Sequence, residues 1–123
     1  KYESNDWSKL GRDIDGEAHD DKSGTSVSLS SDGLVVAIGA PDNDGNGNRS
    51  GHVRIYKYVS NDWSQLGSDI DGEGYYVYSG TSVSLSSDGL VVAIGAPDND
   101  GNGNRSGHVR IYKYVSNDWS QLG

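Results

Sequence analysis

The sequence repeats itself with a period of 56 residues, as Trp7, Trp63 and Trp119 mark, and this constrains the fold more than any other feature. Ser23 to Gly67 and Ser79 to Gly123 read the same letter for letter, SGTSVSLSSDGLVVAIGAPDNDGNGNRSGHVRIYKYVSNDWSQLG. Lys1 to Glu17 matches Lys57 to Glu73 with three changes. Tandem units of this length belong to arrays and propellers, in which one unit cannot bury its apolar surface alone and neighbours complete the core. Neither end falls on a unit boundary, so the chain reads as a window cut from a longer array, or as a protomer that needs neighbours.

The spacing within each unit predicts four short strands. Thr25 to Ser30 alternates Val27 and Leu29 with serines, the period of a half-buried strand. Ser31-Asp32-Gly33 is a tight turn. Leu34 to Ala40 is apolar throughout, as a strand covered on both faces would be, and Pro41 ends it. A polar loop leads to a third strand, His52 to Tyr58. Ser60-Asn61-Asp62 turns into a fourth, Trp63 to Ile70. No segment holds apolar residues at i, i+3 and i+4 over ten residues, so helices are not expected. The expected fold is all-β: tandem four-stranded antiparallel blades, β-propeller-like, two per chain plus a spare N-terminal strand. Residues 1–22 form the outer strand and connector of a preceding unit, 23–78 the first unit with its connector, and 79–123 the second. The spare strand, Trp7 to Ile14, has no third strand of its own to pair with; it either completes a neighbouring chain by strand addition or is a disordered leftover of a preceding unit.

Hydrophobic residues make up only 33% of the chain, and Phe, Met and Cys are absent, so the core must come from Val, Ile, Leu, Ala, Tyr and Trp. That set favours strands. The net charge of −8 disfavours a nucleic-acid or anionic-membrane partner, which needs a basic surface, and neither is expected. Without cysteine there are no disulfides and no thiolate metal sites. No apolar run is long enough for a membrane-spanning helix, and no membrane insertion is expected.

Gly24 with Ser26-Val27, then Val36-Ala37-Ile38-Gly39-Ala40-Pro41, then Gly51-His52-Val53-Arg54-Ile55-Tyr56 resemble the FG-GAP-type repeat of integrin-α-like β-propellers. The resemblance covers nearly the whole unit. It implies an extracellular, often adhesive, calcium-supported propeller of about seven blades. The family places its calcium loop between strands one and two, where this chain has only Ser31-Asp32-Gly33, too short for a metal cage.

The acidic loop lies instead between strands two and three. Asp42, Asp44 and Asn46, followed by Gly47, fit the first half of an EF-hand-type loop, and Asp98, Asp100 and Asn102 repeat them. Oxygen ligands at alternate positions converge where a glycine permits the turn, so Ca2+ is the candidate cofactor. The twelfth position, where a bidentate Glu belongs, is Val53, so other ligands must complete the shell. The alternative is a plain Asx- and Gly-rich loop. Asn48 and Asn104 head N-glycosylation sequons in the same loops. Asp69, Asp71 and Glu73, echoed at Asp13, Asp15 and Glu17, form a second acidic cluster. A catalytic carboxylate pair would not recur in every unit, so no catalytic residues and no enzyme are expected. His52 and His108 read as strand residues.

The informative difference between the copies is the connector after the glutamate. Ala18-His19-Asp20-Asp21-Lys22 is polar, and Gly74-Tyr75-Tyr76-Val77-Tyr78 is aromatic. Tyr75, Tyr76 and Tyr78 are candidates for contact with a neighbouring subunit or a sugar. The expected function is an extracellular or cell-surface structural or adhesive repeat that self-associates, as a homo-oligomer or fibre building block. The alternative is a calcium-supported module that binds glycan or protein through the loops at one end.

Overall fold

The computed structural model describes residues 2–3, 6–16, 22–41, 51–72, 78–96 and 107–123. Their secondary structure is all β. Strands run Tyr2–Glu3 (β1), Asp6–Trp7 (β2), Ser26–Leu29 (β3), Val35–Ala40 (β4), His52–Val59 (β5), Asp62–Gln65 (β6) and Ile70–Asp71 (β7). The second copy follows with Ser82–Leu85 (β8), Val91–Ala96 (β9), His108–Val115 (β10) and Asp118–Leu122 (β11). The first sheet has the order β3-β4-β5-β6, with β7 also paired to β5. The second has the order β8-β9-β10-β11. All pairings within both sheets are antiparallel, and the register recurs one period along: Val27↔Ile38 becomes Val83↔Ile94, and Tyr58↔Trp63 becomes Tyr114↔Trp119.

Local chemistry explains the turns. Between β3 and β4 the Ser30 hydroxyl donates to Asp32 Oδ1 at 2.7 Å, and that oxygen accepts the Leu34 N–H at 3.0 Å. The Leu34 N–H and the Ser30 hydroxyl hold the Asp32 carboxyl below the ordinary aspartate range. Ser60 and Asn61 both take positive φ, 54° and 68°, as do Ser116 and Asn117. Two central residues of that hand make the turn whose twist matches the flanking strands.

The fourth strand is not the continuous Trp63 to Ile70 that its composition predicted. It breaks after Gln65, passes through Gly67 at φ 76°, and re-pairs with β5 at Val53↔Ile70. The N-terminal piece also differs from expectation. It brings a fragment of its own third strand, because β1 pairs with β2 at Tyr2↔Trp7, the register of Tyr58↔Trp63. Residues 8–16 then dock on the first sheet of the same chain rather than standing free.

The second strand is covered on both faces in the first copy, where every residue of β4 is buried. In the second copy the same letters alternate between half-buried and buried. Partners across an antiparallel ladder share a face. Val35, Ala37, Val53 and Ile55 therefore form one face of the first sheet, and they pack on Leu85, Val92 and Ile94 of the second, with Ile70 at the edge. This sheet-on-sheet layer is the core. Its outward copies are less covered: Val53 and Ile55 are fully buried, while Val109 is 65% and Ile111 42% exposed, and Val91 and Ala93 are half-buried. At the other end Leu29 is 59% exposed, whereas Leu85 is 9%.

Identical residues should therefore answer differently to truncation. Leu85→Ala should cost about 2–4 kcal/mol, as buried leucines do, and Leu29→Ala less than about 1 kcal/mol. Urea unfolding of both variants at low protein concentration checks this, and equal losses would contradict the stacked arrangement.

Candidate assembly interface

The joint between the two sheets is the one surface whose geometry states what it binds. Its polar part starts at β3. Ser26 Oγ donates to the Gly80 carbonyl at 2.7 Å, and Ser28 Oγ accepts the Leu85 N–H at 2.9 Å. The Ser31 N–H donates to the Ser87 carbonyl at 2.9 Å. The sequence marks Ser26 and Ser28 as the polar side of a half-buried strand and Ser31 as part of a turn. In the fold they face the next unit and fix its height, because only one register aligns all three bonds.

Backbone meets backbone at the second part. The chain enters the second unit through Ser79 and Gly80, with a parallel bridge between Gly51 and Ser79. A Cβ on Gly39 would collide with the Gly80 carbonyl, and one on Gly51 would lie 2.6 Å from the Ser79 nitrogen. A Cβ on Gly80 would lie 2.7 Å from the His52 carbonyl oxygen. No side chain fits among these three glycines, so the glycines that carry the motif are those where one unit's backbone crosses the next.

The outer edge supplies the third part. The Trp119 indole N–H donates to the Leu66 carbonyl at 2.8 Å, as the Trp63 indole does to Leu10. Tyr58 braces the Trp63 indole edge-on and Tyr114 the Trp119 indole at a tilt, with ring centroids 5.3 and 5.2 Å away. Asp118 accepts from the Ser68 N–H at 2.9 Å, and Asp62 accepts from the Arg12 N–H at 3.2 Å. The Arg12 guanidinium also pairs with Asp62. Residues 8–16 thus sit on the first sheet as residues 64–72 sit on the second. The sequence marked Asp62 only as part of a turn, since nothing local shows that it reaches Arg12, 50 residues away.

Among the described residues, His52, Asp69 and Asp71 bring ligand-type atoms within 4.8 Å of one another. The sequence grouped the two aspartates, and the fold adds His52 from β5 through the β5–β7 pairing. Asp69 already accepts from Arg54 at 2.7 Å and from Gln65 at 2.7 Å. Burial pushes its carboxyl up, and these bonds outweigh that and hold it below the ordinary range. With the Arg54 guanidinium on both Asp69 oxygens, the cluster reads as a tie across the broken fourth strand.

Asp42, Asp44, Asn46, Asp98, Asp100 and Asn102 lie outside the described residues, as do Asn48, Asn104, Glu17, Glu73, Tyr75 and Tyr76. Tyr78 is half-buried at φ 57°, and its carbonyl accepts the Thr81 hydroxyl at 2.7 Å. Lys22 holds the same place before the first unit.

The outer-edge contact should be acid-sensitive. The Arg12 side chain, helped by the Trp63 N–H, lowers the Asp62 carboxyl to about 2. A depressed carboxyl adds stability that is complete above its unfolded value near 4 and is lost as pH falls through the folded value. Residues 8–16 should release from Trp63 as pH falls from about 4 to about 2, shifting tryptophan emission. Asp62→Asn should remove that titration, and an unchanged titration in the variant would contradict the assignment.

No curated protein matches the chain. Residues 13–56, which hold Gly24, Gly39 and Gly51, match the family model for the FG-GAP repeat. Over residues 13–56 the chain therefore carries an FG-GAP-type repeat, in keeping with its blade-like antiparallel sheets.

Proposed function

We propose that this chain is a structural or adhesive β-repeat protein of the extracellular space that self-associates by stacking sheet on sheet, in the manner of propeller blades. The observation that carries this reading is the contrast between Val53 and Val109. The residue and its strand are the same, yet one is fully covered and the other 65% exposed. Val27, Leu29, Val109, Ile111 and Leu122 leave apolar surface at both ends of the stack. Monomers rarely keep such patches without a partner. Because the two end faces differ and complement each other, the contact is heterologous and builds either a ring or a fibre.

On sequence grounds the Asp42, Asp44, Asn46 loop and its copy Asp98, Asp100, Asn102 take Ca2+ in this reading, and Asn48 and Asn104 carry glycan on the same loops. Calcium at about a hundredfold over its dissociation constant should then stabilise the fold by roughly 2–3 kcal/mol. Thermal unfolding with and without calcium measures it. A shift that persists in the Asp44→Ala, Asp100→Ala double variant would place the ion elsewhere.

Sedimentation velocity over a wide concentration range tests self-association. The mean mass should rise with concentration, and negative-stain images should show rings or fibres. A species of 13.1 kDa at every concentration would end the reading.

A further inference from the structure

The break in the fourth strand brings metal-ligating groups of two kinds together. His52 opens β5, Asp71 stands opposite it on β7, and Asp69 directly precedes β7. Partners across an antiparallel ladder share a face, so the imidazole and the Asp71 carboxylate lie side by side. The three residues offer one nitrogen and two carboxylate oxygens, all within 4.8 Å of one another.

The imidazole nitrogen is the informative atom. His52 is 3% exposed, and its Nδ1 makes no hydrogen bond. Its ion-pair partner, Asp69 Oδ2, lies 3.7 Å away, too far for a hydrogen bond. Two ligands of one tetrahedral ion with bonds of about 2.0 Å stand about 3.3 Å apart, so a shift of a few tenths of an ångström brings this pair onto one ion. A buried polar atom without a hydrogen bond costs stability, and a bound cation removes that cost.

The surroundings suit such an ion. Arg54 Nε and Gln65 Nε2 both donate to Asp69 Oδ1 at 2.7 Å, and Arg54 Nη2 donates to Oδ2 over a longer 3.1 Å. The carboxylate is thus oriented from one side while Oδ2 faces His52, as hydrogen bonds from outside orient a metal-bound carboxylate. The Arg54 charge opposes a cation, but Asp69 and Asp71 together outweigh it. Asp71 is exposed, which gives an ion a way in and leaves room for water as a fourth ligand.

The donor set selects the metal. Ca2+ takes about six to eight oxygens and does not use imidazole, whereas imidazole with carboxylates suits Zn2+. We propose that His52 Nδ1, Asp69 and Asp71 bind Zn2+, which clamps β5 to β7 across the break after Gln65. The site is separate from the Asp42 and Asp98 loops and does not depend on self-association. His108, one period on, is gathered into no such group among the described residues and serves as the internal control.

Zn2+ titrated into the chelator-treated full chain tests this, read by calorimetry and by imidazole 15N NMR. Binding should saturate, the His52 Nδ1 signal should shift while His108 stays, and the thermal midpoint should rise. Ca2+ should leave the His52 signal in place. Asp71→Asn, at an exposed position, should weaken Zn2+ at least about tenfold with the circular-dichroism strand signal unchanged. Should that variant lose strand signal, the His52 resonance of the parent chain decides alone. Absence of saturable binding, a shift confined to His19 or His108, or parent-like affinity in a folded Asp71→Asn overturns the assignment and leaves the cluster a tie between Arg54 and Asp69.

Discussion

A β-sheet with apolar side chains on both faces needs two covers, and every other feature of this chain follows from supplying them. Leu34 to Ala40 alternates no polar residue into either face, so its strand cannot sit on the surface of a single layer. The first sheet meets the requirement with the second sheet on one side and residues 8–16 on part of the other. The second sheet meets it on one side only. Burying a side chain such as Val or Ile is worth about 1.5–3 kcal/mol, so a handful of such positions outweighs the marginal stability of an isolated sheet. The difference between Ile55, fully buried, and Ile111, 42% exposed, is therefore a property of position in the stack and not of sequence.

Hydrophobic burial is non-directional and would permit sliding of one sheet over another. Directionality comes from the polar and backbone parts of the joint. Ser26, Ser28 and Ser31 set the height, the indole of Trp119 ties the outer edge to the Leu66 carbonyl, and Asp118 fixes Ser68 beside it. Gly39, Gly51 and Gly80 let the backbones cross without a side chain between them. The FG-GAP-type motif is thus less a recipe for one sheet than a recipe for the seam between two, which explains why its glycines sit at the end of the second strand and the start of the third.

Much of this was legible in the letters. The period gave the unit, alternation in Ser26 to Leu29 gave the edge strand, the unbroken run to Ala40 gave the doubly covered one, and Ser60-Asn61 gave the hairpin turn. What stayed hidden was long-range. Nothing near Asp62 announces that it accepts from Arg12, and nothing near Gln65 announces that the fourth strand breaks at Gly67 to re-pair through Ile70. The serines of β3 look solvent-facing, because a hydroxyl that bonds to a neighbouring unit has the same local pattern as one that bonds to water. The acidic loops at Asp42 and Asp98, and the sequons within them, are read from sequence alone.

Methyl NMR with a soluble paramagnetic probe tests the central claim most directly, since Ile55 and Ile111 have the same neighbours in sequence and differ only in cover. The Ile55 methyl should stay shielded at every protein concentration, whereas Ile111 should be broadened in dilute solution and become shielded as the protein is concentrated. Equal broadening of the two methyls in dilute solution would show that neighbouring sheets do not hold this fold together.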